Sequence, residues 1–338
     1  MKKLGILASA VAMTASSLFG DIAVGKGLSV SGYLDLVYTS VSNDLTSGAA
    51  GTDTSGFNAT TAEIDFAFDF GNGLSATVDL EGNVGNNDLG NGAGGAELNI
   101  EQARIDYAFG DSSITLGKFD TPIGLEALES PDLYQYSVSL TTDLQYTQHT
   151  GIMYGFDNGM FNVNVGIVNS ISDDNANVGN SGDELSYFGK VGVTPTDSLS
   201  FNVAYSAGDE DNTAGAGGGT PDEFTQFSVD ASWSDFGWTV GAEYVDREVE
   251  TGAVKTDTDG FMIMANYMFT EQFGLTARYS TSEIDGTSES IEYTIAPSYA
   301  ITPNWFVLAE YRVDETDNAA GTTTDEADTI AIETILTF

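Results

Sequence analysis

Cysteine is absent from the 338 residues, so no disulfide holds this fold together. Basic side chains are scarce as well: Lys and Arg total 10 against 51 Asp and Glu, giving a net charge of -41. A chain this negative excludes nucleic acid as a partner and repels anionic solutes. Beyond the N-terminal end, no run approaches the roughly 18–20 consecutive apolar residues of a membrane helix, which excludes a helical membrane protein. Such acidity with few aromatics would suggest disorder. Aromatics instead make up 11% of the chain and sit in alternating segments, so it is built to fold.

The N-terminus opens with Lys2-Lys3 and an apolar run of small and aliphatic residues from Leu4 to Phe19. Ala15, Ser16, Ser17 and Gly20 are small enough for a cleavage site. The pattern predicts a secretory signal peptide over residues 1–20, cut after Ser17 or Gly20, and a single mature domain over 21–338. Loss of Lys2 and Lys3 leaves 8 basic residues against the same 51 acids.

From Leu28 onward the dominant period is two, which is the period of a strand. Ile64, Phe66, Phe68 and Phe70 alternate with Glu63, Asp65 and Asp69, and Leu74, Ala76, Val78 and Leu80 with Ser75, Thr77, Asp79 and Glu81. At the C-terminus Ile330, Ile332, Thr334 and Leu336 share a face, and Thr329, Ala331, Glu333 and Thr337 supply a more polar one. The strands are about ten residues long, matching a tilted crossing of a bilayer. The last residue is an aromatic, Phe338, as in the final strand of an outer-membrane barrel.

The connections alternate in length. Gly71-Asn72-Gly73, Gly110-Asp111-Ser112, Asp157-Asn158-Gly159, Pro195-Thr196-Asp197, Asp235-Phe236-Gly237, Glu271-Gln272 and Thr302-Pro303-Asn304 are short hairpin turns. Between them lie long polar connections over 43–56, 86–95, 121–147, 172–183, 208–222, 250–258, 285–288 and 315–326. A sandwich has no reason to alternate so; a membrane barrel does, with short periplasmic turns and long external loops. The expectation is an all-β transmembrane antiparallel barrel of about 16 strands in the bacterial outer membrane. Phe70, Phe109, Phe156, Phe161, Trp233, Trp238, Phe269, Phe273, Trp305 and Phe338 gather near the short-turn ends, as an interfacial girdle would.

Parity then assigns the lumen. Arg104, Lys190, Arg247, Arg278 and Arg312 take the polar face, as do Asp35, Asp65, Asp79, Asp106, Glu243, Glu292, Glu310 and Glu333. Rings of lumen charge set which ions pass; the alternative for each is a pairing that only stiffens the wall. Lys118 shares the outer parity of Ile114 and Leu116, so a bulge must re-aim it or it reaches headgroups. The connection that follows is the longest and the least glycine-rich of the long ones. Its apolar content suits a loop folded into the barrel mouth, with Glu126, Glu129 and Asp132 at the constriction; packing on a neighbouring protomer is the alternative.

Gly117-Lys118-Phe119, then Thr121-Pro122-Ile123-Gly124, an acidic stretch, and His149-Thr150-Gly151 resemble the OmpL-like family of outer-membrane porins. The resemblance covers the mature barrel in layout and about residues 101–156 in motif. It implies a channel without catalytic residues. A weaker similarity to phosphate-selective porins rests on the same Gly-Lys-Phe stretch. The chain departs from that group in lacking the lysine-rich lumen that attracts phosphate.

The other candidates for chemistry are bland. His149 is the only histidine, and no motif surrounds Ser137 or Ser139, so a Ser-His enzyme is not expected. Asp173-Asp174-Asn175, Asp209-Glu210-Asp211 and Asp257-Thr258-Asp259-Gly260 lack the spacing of a calcium loop and read as solvated acids. Met262, Met264 and Met268 share a lumen parity and read as adaptable packing, and neither metal nor cofactor is assigned. The functional expectation is a passive, cation-preferring diffusion porin for small hydrophilic solutes. Its rival is a structural barrel with acidic surface loops and a closed lumen. The expected partners are outer-membrane lipids, the assembly machinery that reads Phe338 as an insertion signal, the solutes, and two further copies in a homotrimer.

Overall fold

The computed structural model describes residues 22–45, 53–83, 98–171, 185–211, 221–251 and 254–338. The expected signal peptide, the loops over 86–95 and 172–183, and the Asp173-Asp174-Asn175 cluster lie outside them, as do the side chains of Asp209, Glu210 and Asp211.

The strands in chain order are β1 (Ile22–Gly25), β2 (Leu28–Leu45), β3 (Asp53–Gly71), β4 (Leu74–Asn83), β5 (Leu98–Phe109), β6 (Ser112–Asp120), β7 (Gln148–Asp157), β8 (Phe161–Val168) and β9 (Ser186–Thr196). They continue with β10 (Leu199–Asp211), β11 (Pro221–Asp235), β12 (Trp238–Thr251), β13 (Val254–Met268), β14 (Phe273–Ile284), β15 (Ser288–Thr302), β16 (Trp305–Asn318) and β17 (Thr323–Thr337). From β2 to β17 each strand pairs antiparallel with its sequence neighbours, and β17 pairs back onto β2 from Asp325↔Leu45 to Thr337↔Tyr33. This closes a 16-strand antiparallel barrel. The short β1 pairs with β2 at Ile22↔Val30 and Ala23↔Ser29, just past the place where the C-terminus stops. There Phe338 N donates to Gly32 O and Gly32 N to Phe338 O, each at 3.0 Å. β1 and the end of β17 thus fill one position of the barrel in tandem.

Polarity runs outward to inward, the reverse of a water-soluble barrel. On β14, Thr276, Arg278 and Ser280 are buried while Leu275, Ala277 and Tyr279 face out. On β17, Ile330 and Ile332 are 49% and 54% exposed whereas Glu333 between them and Leu336 is 2% exposed. Only a surround of lipid makes that arrangement favourable over so many strands. At the short-turn end the girdle rings touch: Trp238 and Tyr267 have centroids 4.6 Å apart, Tyr267 and Phe269 4.9 Å, and Phe269 and Phe273 5.4 Å.

At the opposite end several strands outrun the expected limits. The ladder continues through Glu250↔Lys255 and Thr251↔Val254, so Asp257-Thr258-Asp259-Gly260 is strand, and the segment over 315–326 is mostly β16 and β17. Beyond the hydrocarbon both faces meet water, so polar residues there do not break the pairing. Lys255 bonds Glu248 at 2.6 Å and Asp257 at 3.3 Å on this extension.

Candidate functional site

The connection between β6 and β7, residues 121–147, turns into the lumen and docks there. Apolar residues on the luminal face make this possible. Phe119, Met153, Phe188, Ala204 and Phe224 project inward from five strands and bury Ile123 of the loop. Leu125 packs on Met262 and Met264, which accounts for two of the three luminal methionines. Small residues on the opposite wall leave room: a Cβ at Gly241 would come 2.8 Å from Leu125 Cδ2, and one at Gly260 2.9 Å from Leu144 Cδ1. A single helical turn, α1 (Leu140–Asp143), is capped by the Ser139 side chain, which accepts from Thr142 N.

Polar side chains of the wall then hold the loop's backbone. Leu125 N donates to Glu243 Oε1 at 3.1 Å, Ser137 N to Glu310 Oε2 at 3.0 Å, and Lys190 Nζ to Pro122 O at 2.6 Å. Thr276 Oγ1 donates to Tyr134 O at 3.0 Å. Arg247 donates to Tyr146 Oη at 2.7 Å and stacks over the Tyr146 and Phe224 rings. Arg278 is the centre of the dock. It donates to Glu292 Oε1, to Glu126 Oε1 at 2.7 Å, to Ser137 O at 2.6 Å and to Val138 O at 2.9 Å.

These contacts revise one expected constriction residue. The Glu126 side chain is 2% exposed, and besides Arg278 it accepts from Gln135 Nε2, Ser139 N and Thr142 Oγ1, each at 2.7 Å. All its acceptor capacity is engaged within the loop and its anchor, so Glu126 braces the loop and does not line an opening. Glu129 is half-buried against the wall, where Tyr33 Oη donates to its Oε2 at 2.7 Å. Asp132, the last residue of a short 3-10 turn (Ser130–Asp132), is exposed on the loop. Although its side chain is open to solvent, the protein crowded around it desolvates the Asp132 carboxyl and raises it above its usual range, and burial with the nearby Glu101 charge pushes Glu129 up to about 8.

The remaining sequence-assigned charges all point inward; Asp35 and Glu333 are each 2% exposed, and the others form two groups. Lys190, Glu243, Arg247, Arg278, Glu292 and Glu310 serve the dock or touch residues that do, and Arg312 reaches Asp314 at 2.9 Å and Glu292 at 3.9 Å. Arg104 lies 3.4 Å from Asp106, which also accepts from Thr115 Oγ1 at 2.6 Å. Around that pair, β3 to β6 carry Glu63, Asp65, Asp79, Glu81, Glu101 and Asp120, with Arg104 as the inward basic residue among them. Parity alone missed Glu101, because a bulge intervenes. Lys118 keeps its outer parity and donates to Ile100 O at 3.2 Å. His149 is 2% exposed and packs on the Phe188 ring at 5.5 Å, while Ser137 and Ser139 bond Arg278 and the capping threonines.

The same architecture recurs in solved outer-membrane proteins. The channel DcaP of Acinetobacter baumannii superposes with a TM-score of 0.69 at 10% identity, over 94% of this chain and 99% of that one. OmpT of Vibrio cholerae gives 0.67 at 14% identity over 94% and 100%, and a further structure of it is described as a trimer form. An anion-selective porin from Comamonas acidovorans gives 0.66 at 13% identity over 92% and 99%. At these identities the likeness is one of fold. No curated protein sequence matches the chain. The family model described as "Putative beta-barrel porin-2, OmpL-like" matches residues 27–338, nearly the whole barrel. The chain therefore belongs to the OmpL-like porin family of the bacterial outer membrane.

Proposed function

We propose that the protein is a passive diffusion channel for small hydrophilic solutes that prefers cations, without enzymatic activity. The observation that carries this reading is the division of labour among lumen charges. Lys190, Arg247 and Arg278 are engaged in holding the loop, and Arg104 sits against Asp106. The carboxylates of β3 to β6, with Asp132 on the loop, form an acidic sector in which Arg104 is the one inward-facing basic side chain among the described residues. Charges fixed along a path surrounded by low dielectric act on a passing ion far more strongly than the same charges in bulk water. A fold shared with an anion-selective porin does not oppose this, since selectivity follows lumen charge and not strand topology.

The outward apolar face contacts outer-membrane lipid in this reading, and the barrel assembles as a homotrimer. Phe338 serves both as a girdle residue and as part of the signal read by the assembly machinery. Residues 1–20 act as the export signal. Planar-bilayer recording tests the channel itself: discrete conductance steps are expected, and a purified, folded barrel that gives none is a closed structural protein.

A further inference from the structure

Three glutamates meet on the lumen wall where simple alternation would not bring them together. Glu63 on β3, Glu101 on β5 and Glu129 on the inward loop each offer a carboxylate oxygen, and these oxygens lie within 4.8 Å of one another. Glu101 arrives by a register slip. Asp79 pairs with Gln102 and Leu80 with Ile100, so Glu101 is the extra residue of a bulge. Counted from Arg104, it would share the outward parity of Ala103; the bulge turns it inward.

The surroundings resemble a ligand set with its supporting shell. Tyr33 Oη donates to Glu129 Oε2 at 2.7 Å, and Gln148 Nε2 donates to Glu101 Oε1 at 2.8 Å, fixing two of the carboxylates. Glu63 is different. It is 6% exposed and its Oε2 has no hydrogen-bond partner. Among the described residues no salt bridge reaches any of the three. A buried carboxylate oxygen without a donor, facing two further carboxylates, must be relieved by a shared proton or by a cation.

We propose that Glu63, Glu101 and Glu129 form a divalent-cation site of the Ca²⁺ type that clips the inward loop to the wall of the lumen. The ligand chemistry is all oxygen, which suits a hard cation. Ca²⁺ takes six to eight oxygens at about 2.4 Å in adaptable geometry, so three carboxylate oxygens gathered within 4.8 Å of one another can reach one ion together. Mg²⁺ binds at about 2.1 Å, demands near-ideal octahedral geometry and gives up its water reluctantly, so an irregular set of carboxylates from two strands and a loop suits it less. The site joins β3, β5 and the loop, on strands that the Arg278 dock does not touch. An ion there would neutralise part of the acidic sector and fix the loop's free flank. The site does not depend on conduction, so it stands or falls separately from the channel reading.

The test is Ca²⁺ titration calorimetry on the full chain folded in detergent, at physiological ionic strength to screen the loop acids, with Mg²⁺ in parallel. One Ca²⁺ per chain is expected, weakened by about tenfold or more in E63Q/E101Q and bound more tightly than Mg²⁺. Equal Ca²⁺ binding by the wild type and a folded E63Q/E101Q, or no saturable binding by the wild type, overturns the site. If the double variant fails to fold, Tb³⁺ replaces it as a probe, excited through tyrosine in wild type and Y33F. Loss of most of the Ca²⁺-displaceable emission in Y33F supports the site beside Tyr33; unchanged emission places the ion elsewhere and overturns it. A protein that binds one Ca²⁺ this way but gives no conductance steps keeps the site and refutes only the channel.

Discussion

Replacing Arg278 by alanine should release the inward loop. The change removes six hydrogen bonds, two of them to Glu292 and four to Glu126, Ser137 and Val138. It also strips the cation from two carboxylates whose side chains are 2% and 3% exposed. Breaking a buried pair in this way costs about 3–5 kcal/mol. Both acids keep other donors: Glu126 has Gln135, Ser139 and Thr142, and Glu292 has Ser280, Thr294 and the more distant Arg312. The lower end, about 3 kcal/mol, is therefore the working figure, and it raises the undocked population about 100-fold. R278A should show a larger and noisier single-channel conductance and faster proteolysis within 121–147, with heat-modifiability of the barrel retained. E126Q should move the same way by less, about 1–3 kcal/mol, because an amide donor then faces the Ser139 and Thr142 donors. Conductance, noise and protease resistance in R278A equal to wild type would refute the dock.

Three further outcomes follow from other parts of the molecule. Deleting Phe338 removes the reciprocal backbone pair with Gly32 and a girdle ring, so the folded, heat-modifiable fraction in the outer membrane should fall; normal insertion would contradict this. Gly117→Ala should lower refolding yield, since φ there is +122° and a Cβ would come 2.1 Å from Ala103 O, a strain of more than about 1–3 kcal/mol. On acidification, the raised carboxyls of Asp132 and Asp143 should take up protons above the ordinary aspartate range, so cation preference should begin to fall there, as read from reversal potentials in wild type and D132N/D143N. Because those pKa values are raised in the folded loop, the docked state favours the protonated form. The dock should thus gain stability as pH falls through them and lose it as pH rises; protease sensitivity of the loop that increases on acidification would contradict this.

The barrel was legible because a period of two runs through most of each strand, interrupted only locally by bulges. Thr276, Arg278 and Ser280 point in, and Leu275 and Tyr279 point out, as alternation requires. Strand ends were less legible: Lys255 and Asp257 read as loop because their polarity carries no hint that the ladder continues past the bilayer. Bulges hid Glu101, since one inserted residue reverses parity for a single side chain without leaving a mark in composition. The inward loop was legible from its apolar content, but its energetics were not. Glu126 finds Arg278 152 residues away, and no local pattern encodes that pairing. Phe119, Phe188 and Phe224 are apolar residues on a luminal parity, which has a reason only if something apolar packs on them from inside.

The central claim is that the lumen and its vestibule select cations. The chain carries 51 acids against 10 basic residues, but loop carboxylates more than about 8 Å from the path are screened at physiological ionic strength. Reversal potential across a bilayer holding the purified barrel in an asymmetric KCl gradient, taken from low to high salt, addresses this directly. The account predicts a clear K⁺ preference at low salt that weakens as salt rises, because vestibule steering is screened before the acidic sector inside. A reversal potential of the opposite sign at low ionic strength, showing preference for Cl⁻, would contradict it.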